Sequence, residues 1–547
     1  MAEITGADAI IESLVINGVD TMFGLPGGQL DHLFDSIYRS DGRIKILHSR
    51  HEQGAAYMAF GYAQTTGRPG VYAVVPGPGL LNTTAALSTA WACNSPVLAI
   101  SGQVHLDGID SGYGHLHEIP DQLGLIRHLT KWAARIERGS DTPAIMHEAF
   151  QQLRSGRPRP VEVEMPMDIM GEKAAIDAAS AAVGLAAPAV DPDQIRAAAE
   201  LLASAKKPMI VIGSGVLDAG VSLKAVADRL QAPVMAKRKG KGIISDDDYL
   251  SVNIPAGHHL WGETDAVLAV GTRLKMPLTM WGKDEALKLV RVDIDPEEIS
   301  RICEAEVSIL GDADAVLTAL ANELEQHGPA KQSREDELLA LRAAVNADMH
   351  KHVGPQMAYL DVIREVMPRD GYFIDEVTQI GFVSWSGFPV YEPRHFVSAA
   401  QQGTLGYGLA TALGVATAHP DKPVVAISGD GGYLFNIQEL ATAVKYQLNL
   451  VSIVFNDNTY TNVQRQQDEW FDGRRICSDL HNPDFVKLAD SFGASAYRVD
   501  SPAKLKNLLP RAFAEPGPTV IEVQISERMP TPWRYIIMEQ NRQAICA

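Results

Sequence analysis

The feature that most limits what this chain can fold into is Ser428-Gly429-Asp430-Gly431-Gly432, with Asn456-Asp457-Asn458 downstream. Ahead of it, Lys422-Pro-Val-Val-Ala-Ile-Ser428 is a short apolar run behind a proline and reads as a buried strand. After it, Leu434, Ile437, Leu440, Ala441, Val444 and Leu448 recur at spacings of mostly three and four, one face of a helix. Leu450-Val-Ser-Ile-Val-Phe455 is then a second buried strand. A strand, helix and strand of this length make a right-handed crossover, so the strands run parallel and end on the same side. Asp430 and Asp457 therefore share the edge at which open α/β sheets take ligands. Gly429, Gly431 and Gly432 let backbone amides approach an anion closely, and a helix N-terminus favours one. Two carboxylates beside such a turn would repel a bare diphosphate. A hard divalent cation such as Mg²⁺, ringed by carboxylate, carbonyl and phosphate oxygens, removes the conflict. The competing explanation is a tight turn with two solvated aspartates.

A chain of 547 residues exceeds the roughly 250–300 over which one core can grow, which predicts several domains. A formal net charge of −19 argues against nucleic acid or an anionic membrane as partner. No apolar run approaches the ~18 residues of a membrane span. Glu3 and Asp8 stand where a signal peptide would carry basic residues, so the expected location is the cytoplasm. Cys93, Cys303, Cys477 and Cys546 lack metal-ligand spacing and read as free thiols.

Taken in order, Thr5-Gly-Ala-Asp8 has the form of a capping box with aspartate in place of glutamate, opening a helix with Ile10, Ile11, Leu14 and Val15 inward. A strand over 18–23, a turn at Gly24-Leu-Pro26-Gly27-Gly28 and a helix around Leu30 come next. Glu52 then begins a helix that is small and apolar on most faces, and a carboxylate there needs explaining. Either it favours the positive end of the helix dipole, or it is held in an apolar pocket ready to trade a proton. A strand over 71–75, the turn Pro76-Gly-Pro-Gly79, a helix through Asn82 and a strand over 96–100 continue the pattern. Residues 171–190, rich in Ala, read as a linker, as does 327–334. Between them, Gly213-Ser-Gly215 with Gly220 is a weak dinucleotide-type turn.

Gly429-Asp430-Gly431 with Asn456-Asp457 resembles the diphosphate motif of thiamine diphosphate (ThDP) enzymes of the acetohydroxyacid synthase and pyruvate oxidase group. The resemblance covers the whole chain. It implies an α/β protein of three doubly wound parallel-sheet domains: pyrimidine-binding (1–170), middle (190–326) and diphosphate-binding (355–547). It implies Mg²⁺ on Asp430, Asp457 and the Thr459 carbonyl, although the family often has asparagine at the position of Asp457. His51-Glu52-Gln53-Gly54-Ala55-Ala56 is similar to the segment of the family's catalytic glutamate, which hydrogen-bonds the cofactor's aminopyrimidine. Leu405, in Gly403-Thr-Leu405-Gly406, would prop the cofactor in its bent form. Further cofactor contacts are implied from Pro26, Gly27, Gly79, Asn82, Gly403, Gly432 and Tyr460, and substrate contacts from Gly28, Gln29, His117 and Gln464. In the family the middle domain binds FAD, binds ADP or stays empty. Gly271-Thr-Arg273 and Val292-Asp-Ile-Asp-Pro296 stand where family members contact such a nucleotide, and the resemblance leaves FAD open. Met529 to Tyr535 is expected as a lid.

The resemblance thus implies an enzyme that decarboxylates a 2-oxoacid, pyruvate foremost, and ligates the remainder to a second carbonyl as acetolactate synthase does. The branch's usual arginine aligns with Pro277 and its usual tryptophan near Gln466, so acceptor preference is expected to differ. A decarboxylase releasing an aldehyde stands as the alternative, and behind it a catalytically silent nucleotide-binding regulator. Family members place the residues matching Glu52 and Asp430 in different subunits, so a homodimer or homotetramer is implied.

Overall fold

The computed structural model describes residues 2–177, 183–184 and 189–542. Three six-stranded sheets, each parallel throughout, succeed one another along the chain. In the first, the strands lie in the order Lys45–His48, Thr21–Gly24, Gly70–Val74, Val97–Gln103, Val161–Pro166, Trp132–Arg135. The third has the same order in its own numbering: Phe396–Val397, Tyr372–Ile374, Val424–Gly429, Leu450–Asn456, Pro518–Gln524, Ser495–Val499. The middle sheet runs Ser251–Val252, Val234–Ala236, Pro208–Ile212, Ala266–Val270, Lys288–Asp293, Val307–Leu310. Near-continuous apolar runs with both faces covered are what parallel strands require, and Val71, Ile210 and Val425 are wholly buried. Each sheet reverses its strand order beside its first strand, and ligands of open α/β sheets bind at such a reversal.

The capping box at Thr5 forms as expected. Asp8 N donates to Thr5 Oγ1 at 3.0 Å and Thr5 N to Asp8 Oδ2 at 3.1 Å. Two sequence expectations are modified. The stretch 171–190 is not all linker, because Lys173–Ile176 pairs antiparallel with Ala2–Thr5; residues 178–182 and 185–188 lie outside the described residues. The helix expected after Gly432 is broken into Asp430–Tyr433, Ile437–Glu439 and Leu440–Lys445. Asn436 interrupts it: its buried amide donates to the Gly406 carbonyl at 2.6 Å, a tertiary bond that competes with helical backbone.

The first and third domains share a core, formed where the helix Glu52–Thr66 crosses Tyr407–Ala418. Their small residues permit backbone contact. A Cβ on Gly61 would lie 2.2 Å from the Thr411 carbonyl oxygen, and one on Gly414 would lie 2.0 Å from that of Met58. Backbone cannot yield as a flexible side chain can, so Gly414→Ala should cost about 1–3 kcal/mol, read as a lowered thermal midpoint.

At the third sheet's outer end Tyr372 is stacked between His395 and His419, with ring centroids 4.2 and 4.3 Å away. Burial, with His395 and Lys422 nearby, pushes the His419 imidazole down to about 4. The folded state therefore resists a proton that the unfolded chain takes up near its ordinary 6.5. Stability from this group is complete above about pH 6.5 and declines as pH falls towards 4. His419→Phe should flatten the thermal midpoint across that window; an unchanged slope would remove the assignment.

Candidate active site

The third domain builds one half of the site. Gly429 lies opposite Phe455 in the parallel register, so residues 430 and 456–457 leave the sheet side by side. Asp430 is 3% exposed and opens the one-turn helix Asp430–Tyr433. Its Oδ2 accepts from the Asn482 amide at 2.7 Å, and the same nitrogen reaches Asn456 Oδ1 at 3.0 Å and Asn458 Oδ1 at 3.2 Å. Burial, and then the charge of Asp457, push the Asp430 carboxyl up to about 6. Asp457 Oδ1 accepts from Thr459 N and Oγ1, each at 3.2 Å. Among the described residues neither aspartate has a Lys, Arg or His ion-pair partner, although the salt bridges elsewhere are numerous. A divalent cation fits this donor set: two carboxylates at a shared edge, uncompensated, next to a glycine turn. No group of three or more acidic, His or Cys ligands gathers among the described residues, so carbonyl and phosphate oxygens would have to complete the shell.

The glycines of the turn are enforced by packing. A Cβ on Gly431 would lie 2.4 Å from the Tyr460 ring, and one on Gly432 2.2 Å from Glu376 Oε1. Glu376 is a residue that sequence reasoning misses, yet it ties the site together. It accepts from Gly406 N at 2.6 Å, Gly408 N at 3.3 Å and Ser428 Oγ at 2.7 Å, and burial pushes its carboxyl up to about 7. It thus ties the backbone just after the Gly403–Leu405 turn, where Gly403 has φ +57°, to Ser428 at the head of the Gly429–Gly432 turn. Asp375-Glu376 directly after an apolar strand is the signal that could have found it. Asn482, in an irregular loop, offers none.

The first domain builds the other half at its own strand reversal. Gly24 lies opposite Ala73, so the turns after these strands adjoin. Val75 is wedged between them: a Cβ on Gly27 would come 2.5 Å from its Cγ1, and one on Gly79 2.6 Å from its Cγ2. Pro26 stands in the same turn, and a Cβ on Gly28 would meet open space. Glu52 is half-buried at the start of its helix, and its Oε2 accepts from the Asn82 amide at 3.0 Å. Gln29 and His117 converge, His117 Nδ1 lying 3.2 Å from Gln29 Oε1, while Gln29 Nε2 donates to the Leu116 carbonyl at 2.9 Å. Gln464 does not join them. It is 6% exposed, and its amide already bridges Asp479 at 3.1 Å and Arg528 at 2.5 Å. The expected lid segment is fastened near it, since Arg465 Nη2 donates to the Met529 carbonyl at 2.7 Å.

At the middle sheet's reversal a cavity of about 760 Å³ is lined by Gly213, Gly215, Gly271, Lys237, Lys239 and Asp293. Gly271, at φ +53°, packs on Gly215 so closely that a Cβ would come within 2.5 Å of its Cα. Burial pushes both lysines down to about 8. No described helix is long and apolar enough to cross a membrane.

Comparison with known proteins divides the chain into the same three units. Family models described as the N-terminal TPP binding domain, central domain and C-terminal TPP binding domain of thiamine pyrophosphate enzymes match residues 4–125, 195–320 and 376–523. A probable 2-ketoarginine decarboxylase of Pseudomonas aeruginosa is 33% identical over 531 residues, 95% of this chain and 94% of that protein. A probable acetolactate synthase large subunit of Methanocaldococcus jannaschii is 33% identical over 550 residues, 95% of this chain and 92% of that protein. The acetolactate synthase isozyme 3 large subunit of Escherichia coli is 30% identical over 538 residues, 94% and 93% of the two chains.

Proposed function

Because this chain belongs to the ThDP-dependent enzymes of the acetolactate synthase and 2-oxoacid decarboxylase family, we propose that it decarboxylates pyruvate and ligates the product to a second carbonyl, forming acetolactate or a close homologue. The observation that supports this reading is the presence of two half-sites at equivalent strand reversals: Glu52 at a helix start in the first domain, Asp430 with Asp457 in the third.

Bound ThDP supplies the carbon nucleophile and the electron sink that side chains lack. Asp430, Asp457 and the Thr459 carbonyl would hold Mg²⁺. Gly429, Gly431, Gly432 and the helix start take the diphosphate, with Tyr460 packed over Gly431. Leu405, next to the Gly406 amide that Glu376 holds, would support the cofactor, and Pro26, Gly27, Gly79, Asn82 and Gly403 would line its approach. Glu52 holds and moves a proton at the aminopyrimidine nitrogen, oriented by Asn82. Gly28, Gln29 and His117 contact substrate where the first domain is open. Gln464 acts on substrate if its bond to Arg528 is released. The domain units are 1–170, 190–326 and 355–547. Glu52 touches its own domain's Asn82, and the diphosphate turn of a second copy completes its site, making a homodimer the smallest active form and a homotetramer its natural doubling.

Pro277 and Gln466 in place of arginine and tryptophan support a changed acceptor. The middle cavity, with its cations and Asp293 at a strand end, is the place for FAD, which a yellow chromophore in the purified protein would reveal. A second reading, a decarboxylase of a larger 2-oxoacid that releases an aldehyde, draws on the P. aeruginosa relative. Incubation with ThDP, Mg²⁺ and pyruvate decides between them. Acetolactate in step with carbon dioxide supports ligation; carbon dioxide with acetaldehyde supports the second reading. Neither product means that pyruvate is the wrong donor, and a panel of larger 2-oxoacids is then the next assay.

A further inference from the structure

Glu439 has no exposed surface, belongs to the third domain, and spends its carboxylate on the first. Oε1 accepts from Arg50 N at 3.1 Å and His51 N at 3.0 Å; Oε2 accepts from Arg50 N at 3.1 Å and from Thr442 Oγ1 at 2.7 Å. Arg50 and His51 are the residues immediately before Glu52. His51 is also the N-cap of the Glu52 helix, its ring nitrogen accepting from Gln53 N at 3.2 Å. Gly54 lets the carboxylate this close, since a Cβ there would lie 2.4 Å from Oε1. A further anchor comes from the end of the next helix, where Tyr446 Oη accepts from His48 N at 3.0 Å.

A wholly buried carboxylate is costly unless donors surround it, and among the described residues Glu439 has no ion-pair partner. Burial accordingly pushes its carboxyl upward. Ordinary cohesion between the two domains is already provided by the glycine-mediated helix crossing. What the carboxylate adds is direction: it aims at the N-cap amide of His51, which a helix start leaves without an internal partner, and at the Arg50 amide just before it.

We propose that Glu439 is a positioning residue, which fixes the backbone at 50–51 and so the direction from which the Glu52 carboxyl reaches its proton. The inference rests on the proposed role of Glu52. Glu439 lies on the short helical segment Ile437–Glu439 that comes after the diphosphate turn, so the element that binds one cofactor sets the glutamate that serves another.

The test uses the full chain loaded with ThDP and Mg²⁺. Glu439→Gln preserves size but turns an NH₂ group towards amides that need an acceptor. Deuterium exchange at the thiazolium C2 position of bound ThDP should slow about tenfold to a hundredfold, and kcat should fall with it. ThDP affinity and KM should change less than about threefold. Gly54→Ala, which displaces the carboxylate without altering a polar group, should slow exchange in the same direction and decides the matter if Glu439→Gln does not fold. Unchanged exchange, or slowing matched by an equal loss of ThDP affinity, overturns the proposal. If Glu52→Gln slows exchange while the Glu439 and Gly54 variants do not, only this inference fails. If Glu52→Gln leaves exchange unchanged, the role of Glu52 fails with it.

Discussion

Glu52→Gln is expected to lower turnover by about 10²–10⁴-fold while ThDP stays bound, the range that a positioned acid–base group contributes. The substitution keeps the shape of the side chain and its contact with the Asn82 amide, 3.0 Å away through Oε2 in the native protein. What it removes is a group able to give up and regain a proton. Because Glu52 is half-buried at a helix start, with its side-chain hydrogen bond going to Asn82 of its own domain, cofactor binding is expected to have other supports. The measurement is paired: kcat with a saturating 2-oxoacid, and ThDP dissociation followed by fluorescence titration. Full turnover in the variant would withdraw Glu52 from catalysis. Equal loss of binding and turnover would recast it as a binding group.

The second large effect is expected at Asp430, with opposite signs in two states of the protein. Asp430→Ala removes one of two carboxylates from the shared edge, and ThDP retention in the presence of Mg²⁺ should weaken by about 100-fold or more, beyond the roughly 10–100-fold typical of groups that merely support a metal ligand. Without metal the same position carries a buried charge facing Asp457, with the neutral Asn482 at 2.7 Å as its nearest partner. Asp430→Asn relieves that repulsion. The metal-free variant should therefore melt at or above the temperature of metal-free wild type, while gaining less from added Mg²⁺ and ThDP. A variant that melts lower without metal and gains as much with it would mean that Asp430 serves the fold and not the ion.

The third domain is legible in the sequence because its signals are local. Two apolar runs of strand length, a glycine turn after one and a polar triplet after the other, place Asp430 and Asp457 at one edge without any distant information. The observed register, Gly429 opposite Phe455, is what that pattern requires. Glu52 is legible as an anomaly, a carboxylate at the head of a small apolar helix. The residues that hold these groups in place are not. Glu376, Glu439 and Asn482 act on backbone amides or neighbouring side chains far along the chain, and no periodicity records such pairings. The helix expected after Gly432 is longer than the one observed for a related reason: the apolar spacing continues through Asn436, but a tertiary bond to Gly406 wins there. Gln464 is singled out only by its place soon after Asp457 and Thr459. A one-residue step around a helix decides whether a side chain faces solvent or core, and that step is invisible before the helix is docked.

The crossing at Gly61 and Gly414 ties the history of the first domain to that of the third. With a carbonyl oxygen 2.2 Å or less from where either β-carbon would stand, neither helix can accept a larger residue unless its counterpart retreats. Drift at one end of the chain is thus answerable to the other end, across the whole of the middle domain. A hybrid that borrows its first domain from a relative would inherit one side of this contact without the other. Such hybrids should succeed only when the helices 52–66 and 407–418 are transferred together, as a matched pair from one parent.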